Sequence, residues 1–217
     1  REMIKDALES DGVQEIFKLG DDHESQIDIF DQNYLDKINK IKLPHTKIQL
    51  LQKLLQKAIG QFSKVNKIQG VNFSEKLRFI VDKYNERKES DVLRSEVLEE
   101  FTDEIIQLYY ELKKESEAGD KLGIDFQEKA FYDILKALAM KYDFVYPEEK
   151  LIPLAQEVKK IVDDKAKYTD WSKRADIKAE LKVDLIILLA ENDYPPVDRD
   201  EVYKEIFEQA ENFKKNR

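Results

Sequence analysis

Apolar residues recur three and four positions apart along most of this chain, and little interrupts them: 6 Gly and 5 Pro in 217 residues leave few places to turn. That spacing gathers apolar side chains on one face of a helix, whereas a half-buried strand requires alternation. Ile48, Leu51, Leu54, Leu55, Ala58, Ile59 and Phe62 form one such stripe, with the neighbouring lysines mostly off it. Val92, Val97, Leu98, Phe101, Ile105, Leu108, Tyr109 and Leu112 form another. The pattern predicts an all-α fold, an irregular bundle of about eight helices. The aromatic run "YDFVYP" is the one candidate for a minor strand.

Helix boundaries follow from caps and breakers. One helix runs through Tyr34, Leu35, Ile38 and Ile41 and ends before Pro44; the next starts at about Thr46. Ser74 reads as the N-cap of a helix carrying Leu77, Ile80, Val81 and Tyr84. A long helix spans Asp91 to Glu115 and is closed by "EAGDKLG". Asp125 with Glu128 forms a capping box, and Asp198 with Glu201 a second one before the last helix. Further helices are predicted from Glu148 to Lys165 and from Asp170 to Glu191. Residues 1–30 mix a helical remnant with loop signals at Asp11-Gly12 and Gly20-Asp21-Asp22. They open on "REMIKDALES", with neither a cap nor an initiator Met, as a piece of something longer would. The expected organisation is an N-terminal connector over 1–30 and a helical domain over 31–217, with a subdivision near 116–125.

Composition narrows the chemistry. With no Cys, and only His23 and His45, thiolate or His-rich metal sites and cysteine nucleophiles have no members. The sequence holds no GxxxxGK[ST], no GxGxxG and no GxSxG, so phosphate-cradling loops and a nucleophile elbow are not expected. No apolar run approaches the roughly 20 residues that span a bilayer, and no signal-peptide pattern opens the chain; a cytoplasmic location without membrane contact is expected. The net charge of −9 argues against a surface that clings everywhere to phosphate. The charge is unevenly spread, because Lys37 to Lys67 carries eight lysines and no acid. Within it Lys47, Lys53, Lys57, Lys64 and Lys67 are candidate DNA-facing residues, and a nucleic-acid-binding module built on them is one functional reading.

Asp143 followed by Glu148-Glu149-Lys150 imitates the acid-plus-ExK spacing with which some nucleases hold Mg²⁺ and orient water. That chemistry needs carboxylates converging on one cation. Here Glu148 and Glu149 follow Pro147 and read as first-turn acids favoured by the helix dipole. No residue is therefore nominated as catalytic, cofactor-binding or metal-binding.

The stretch "DWSKRADIKAELKVDLIILLAENDYPP" is the most informative in the chain. At about 100° per residue, Ile177, Leu181, Leu185 and Leu188 share one sector, and Ala175, Ala179, Val183 and Ala190 lie nearly opposite. Arg174, Lys178 and Lys182 run between them on one side, and Asp176, Glu180 and Asp184 on the other. Two apolar stripes predict a helix gripped from two sides, with its "LIILLA" half most buried. Asn192-Asp193 and Pro195-Pro196 stop it, and Tyr194 folds back on its end.

These residues also carry a resemblance. "YTDWSKRADIKAELKVDLIILLAENDYPP" followed by "EVYKEIFEQAE" resembles the C-terminal signature of the R subunit of type I restriction-modification enzymes, through Asp170-Trp171, Tyr194-Pro195-Pro196 and Gln209-Ala210-Glu211. "IKLPHTKIQLLQKLL", "FSEKLRFIVDKYNER" and "LGIDFQEKAFYDIL" resemble earlier blocks of that family in the same order, so the resemblance spans about Ile27 to Glu211. One departure is the acidic "ENDYPP", where the family carries a basic position before the tyrosine, so no phosphate contact is carried over to that spot.

The family's R subunit joins a nuclease, two motor domains and a terminal helical region, and this chain is similar to the last alone. The resemblance thus implies a non-catalytic assembly domain, with residues 1–30 leading from a motor domain. ATP and Mg²⁺ belong to the parent subunit and no cofactor to this chain. The implied partners are the methyltransferase and specificity subunits and the motor domains of the same chain, with DNA reached through the complex. Trp171, Arg174, Lys178, Lys182 and Tyr194 are the candidate partner-binding residues: aromatic anchors with charge rows that set register.

Overall fold

The computed structural model describes residues 30, 32–41, 44–86, 95–165, 167, 170–194 and 200–216. Every regular element among them is helical: α1 (Gln32–Asn39), α2 (Pro44–Val65), α3 (Lys67–Asn85), α4 (Ser95–Ser116), the five-residue α5 (Ala118–Leu122), α6 (Phe126–Lys141), α7 (Glu148–Lys165), a 3-10 turn (Trp171–Lys173), α8 (Ala175–Glu191) and α9 (Asp200–Lys215). The all-α prediction is met, with eight helices of eight residues or more among the described residues. Residues 1–29 of the connector predicted over 1–30, the predicted helix start at Asp91 with Val92, the Pro195-Pro196 stop and the Asp198/Glu201 box lie outside them.

The minor strand expected at "YDFVYP" is absent among the described residues. Asp143 sits at φ 54° and ends α6 by donating from its N–H to the Met140 carbonyl at 3.3 Å, while the Phe144 N–H reaches back to Ala139 at 3.0 Å. The segment is thus committed to a Schellman stop, and no neighbouring strand pairs with it. α8 ends in the same way. Asp193 is at φ 53°, and the Tyr194 N–H donates to the Leu189 carbonyl at 2.9 Å. Gly123 closes α5 at φ 69°, where glycine carries no Cβ penalty.

Two helix starts differ from expectation. α3 begins at Lys67 rather than near Ser74, because Asn66 supplies the cap: its Oδ1 accepts from the Gln69 N–H at 3.1 Å. The helix predicted from Asp170 is split, since Arg174 is extended and separates the 3-10 turn from α8. The Asp125/Glu128 capping box forms as predicted, with Asp125 Oδ1 accepting from Gln127 and Glu128 N–H at 2.8 Å each and the Glu128 carboxylate accepting from the Asp125 N–H at 2.9 Å.

Two compact units are present. The first comprises residues 1–61 and 72–114. Its core draws Leu35 and Ile38 from α1, the apolar stripe of α2, Phe73 and Leu77 from α3, and Leu98, Phe101, Ile105, Leu108 and Leu112 from α4. Tyr84 stacks on Phe101 with centroids 4.3 Å apart, and Lys76 pairs with Glu111 at 2.9 Å.

The second unit comprises residues 62–71 and 115–217. α6 is its hub, packing against both α7 and α9, and α7 in turn packs on α8. Phe131, Leu135, Leu154, Val158, Leu181, Leu185 and Ile206 fill the space between these helices. The joint between α2 and α3 also belongs to this unit and is held by polar side chains. Gln209 accepts from the Lys67 N–H at 2.9 Å and donates to the Val65 carbonyl at 2.6 Å. Asn212 donates to the carbonyls of Ser63 and Lys64 at 2.8 and 3.0 Å. Asn66 donates to Asp133 at 2.6 Å.

Candidate partner-binding surface

α8 presents two unlike faces. Ile177, Leu181, Leu185 and Leu188 are buried in the core of the second unit, as the sector analysis requires, and Leu189 is buried beside them. The opposite stripe is not covered: Ala175, Ala179 and Ala190 are exposed, and Val183, Ile186 and Ile187 are 53, 43 and 50% exposed. The prediction of a helix gripped from two sides is therefore met on one side only among the described residues. The "LIILLA" half is less buried than expected, because Ile186 and Ile187 turn away from the Leu185 face. A helix that is apolar almost all round normally has its whole circumference covered, so this exposed stripe is the candidate surface of α8.

The five residues nominated from sequence divide between core and rim. Trp171 and Tyr194 are each 1% exposed and belong to the core, so neither ring is presented to a partner. Tyr194 donates from its hydroxyl to the Leu135 carbonyl at 2.8 Å and meets Phe144 and Tyr146 edge to face at 5.2 and 5.0 Å. The two Schellman stops thus converge on one aromatic cluster. Arg174, Lys178 and Lys182 are at the surface and engaged within the unit. Arg174 pairs with Asp176 at 2.5 Å, Lys178 with Glu211 at 3.1 Å, and the Lys182 ammonium sits 5.5 Å from the Tyr203 ring centre. On the other border, Lys165 pairs with Glu180 at 3.1 Å and Asp184 at 3.2 Å, and these bonds raise its pKa above the ordinary lysine value. The charge rows therefore fix α8 in its own unit, and the apolar stripe is what the surface offers.

Burial lifts the Tyr194 phenol well above the usual tyrosine range, with the neighbouring Tyr146 adding to the shift. An unfolded tyrosine titrates near pH 10, so above that pH the unfolded chain holds fewer protons than the folded one and stability falls as pH rises. Tyr194→Phe is expected to flatten this alkaline loss, at a neutral-pH cost of roughly 1 kcal/mol for the lost hydrogen bond. Urea titrations of both proteins between pH 8 and 11 check it; parallel alkaline declines would refute the assignment to Tyr194.

The lysines nominated as DNA-facing are divided between the two units. Lys47, Lys53 and Lys57 are half-buried residues of the first unit, whereas Lys64 and Lys67 belong to the second and are exposed. Lys67 is paired with Glu208 at 2.5 Å. The nuclease-like acids are dispersed too. Glu148 and Glu149 occupy the first turn of α7, where Glu148 accepts from the Tyr132 hydroxyl at 2.5 Å and from Lys136 at 3.0 Å. Lys150 lies 3.9 Å from Asp193 instead. Among the described residues no group of three acids or histidines is placed to share a metal ion, and no helix is long and apolar enough to cross a membrane.

Comparison with known proteins gives a consistent picture. Residues 1–216 match the family described as type I restriction enzyme HindI endonuclease subunit-like, C-terminal. The chain is 24% identical over 213 residues to a protein of Methanocaldococcus jannaschii described as the type I restriction enzyme MjaIXP endonuclease subunit. It is 22% identical over 211 residues to the type I restriction enzyme HindI endonuclease subunit of Haemophilus influenzae. Each alignment covers 97% of this chain but 19% of the relative, so the chain spans about a fifth of the length of these proteins. No solved structure matches it.

Proposed function

Since the chain belongs to the family of C-terminal regions of HindI-like type I restriction endonuclease subunits, we propose that it is the non-catalytic assembly domain of such a subunit. It docks the ATP-driven translocase and endonuclease onto the methyltransferase and specificity subunits, and contacts the motor domains of its own chain. ATP and Mg²⁺ are handled elsewhere in the subunit. The observation that supports this reading is the apolar stripe of α8 that stays exposed opposite its buried core face and packs against nothing among the described residues.

The isolated chain is expected to fold, to show neither ATPase nor nuclease activity, and to co-elute with the methyltransferase–specificity core on size exclusion. Failure to bind that core would overturn the assembly role. The competing reading, DNA contact through Lys47, Lys53, Lys57, Lys64 and Lys67, predicts duplex binding that weakens steeply with salt and falls on charge reversal at Lys53 and Lys57. Salt-insensitive or absent duplex binding dismisses it.

A further inference from the structure

We infer that the outward face of α8 seats a single partner helix, apolar along one ridge and bearing Lys or Arg on one edge. This inference rests on the assembly reading and specifies its surface. The stripe from Ala175 to Ala190 is about 22 Å long at 1.5 Å per residue, four turns of a partner helix. Ala175, Ala179 and Ala190 form a low floor, with Val183, Ile186 and Ile187 rising from it, a relief that admits close packing of a second helix. The extent is that of a helix laid along a groove rather than a flat contact.

Charge selects the partner further. Glu180 and Glu191 border the stripe beyond Ile187, and Asp176 lies at its edge between Val183 and Ile187; all three are exposed, Asp176 and Glu180 are paired with Arg174 and Lys165, and Glu191 makes no ion pair among the described residues. The stripe's other border is Lys178 and Lys182, occupied by Glu211 and the Tyr203 ring. A basic residue on the incoming helix therefore meets an acid with no ion pair at Glu191, towards the C-terminal end of α8, in a border where the acids outnumber the cations Arg174 and Lys165, and it leaves the Lys178 and Lys182 contacts on the other border in place.

A second copy of this chain fits less well. Antiparallel pairing of two α8 helices sets each acidic border against its counterpart, and parallel pairing requires Lys178 and Lys182 to leave their present contacts.

The test compares binding of the wild type, Val183→Glu/Ile187→Glu, Ala179→Arg and the control Lys160→Glu to the methyltransferase–specificity core, with sedimentation of each chain alone. Val183→Glu/Ile187→Glu is expected to weaken binding about 100-fold and Ala179→Arg about 10-fold, with the control unchanged. Ala179→Arg adds bulk at an exposed position and removes no internal contact, so it decides the matter even where the double variant fails to fold. Unaltered binding by both variants overturns the inference and leaves the assembly reading standing. A wild type that does not bind the core overturns both. A wild-type dimer that the variants dissociate assigns the face to a second copy and overturns the partner-helix inference.

Discussion

Asp133→Ala is expected to cost roughly 3–5 kcal/mol, the penalty typical of breaking a buried ion pair from one side. The Lys129 ammonium lies 2.6 Å from Asp133 Oδ1 and 2.6 Å from Glu115 Oε1, and the Asn66 amide donates to Asp133 Oδ2 at 2.6 Å. Lys129, Asp133 and Asn66 are each under a tenth exposed. Burial works against the Lys129 charge, but Asp133 and Glu115 outweigh it and hold its pKa above the ordinary lysine value. Burial also pushes the Asp133 carboxyl up, against the pull of Lys129 and Asn66. Removing the carboxylate leaves the cation with one half-exposed partner and the Asn66 amide with no acceptor, next to the α2–α3 joint.

The thermal midpoint should fall by about 6–20 °C, at about 2–4 °C per kcal/mol for a chain of this size. Lys129→Met with Asp133→Leu should recover part of the loss, because an apolar pair owes no desolvation; the Asn66 donor stays unpaired, and Glu115, which is partly exposed to solvent, loses its cation. Denaturant unfolding of the three proteins reads this directly. A single-variant loss below about 1 kcal/mol would show that Glu115 alone suffices to satisfy Lys129.

How far the sequence foretold this molecule depended on whether a signal was local. The stripe of α2, that of α4 from Val97 to Leu112, the core-facing stripe of α8, the Asp125/Glu128 box and the bounds of α7 depend on neighbours within a few residues, and they stand as read. Ser74 looked like a cap because only its own surroundings were visible. The actual cap, Asn66, is secured by Asp133, 67 positions away. Gln209 and Asn212 clamp the same joint from more than 140 residues along the chain, a distance over which no periodicity speaks.

On the functional side, the second stripe of α8 was legible but its surroundings were not. A run such as "LIILLA" records how apolar a segment is, not what covers it. Trp171 and Tyr194 were plausible anchors by residue type, since aromatic residues dominate both cores and interfaces. Burial decides between those roles, and it assigns both rings to the core. Val183, Ile186 and Ile187 are the large apolar residues that α8 leaves exposed.

The same joint sets the sign of a pair of glycine substitutions that helix propensity alone would treat alike. Gly60 and Gly70 lie inside α2 and α3, where exchanging Gly for Ala ordinarily stabilises by roughly 0.5–1 kcal/mol. Gly60 has nothing within 4 Å of where a Cβ would sit, so Gly60→Ala should raise stability by about that amount. At Gly70 the new carbon would lie 2.1 Å from Ser63 Oγ and 2.7 Å from Ser63 Cα. The hydroxyl can rotate aside, but the Cα moves only with the α2 backbone, and Asn212 and Gln209 hold that backbone by its carbonyls.

Gly70→Ala is therefore expected to destabilise by about 3 kcal/mol, the upper end of overpacking costs. Adding Ser63→Ala should return little, because the Cα and Cβ of residue 63 remain in the way. Opposite shifts of the unfolding midpoint for Gly60→Ala and Gly70→Ala are the signature. Two stabilising shifts would mean that α2 and α3 pack less closely at this joint than the polar clamp requires, and the clamp would lose its role in fixing the corner.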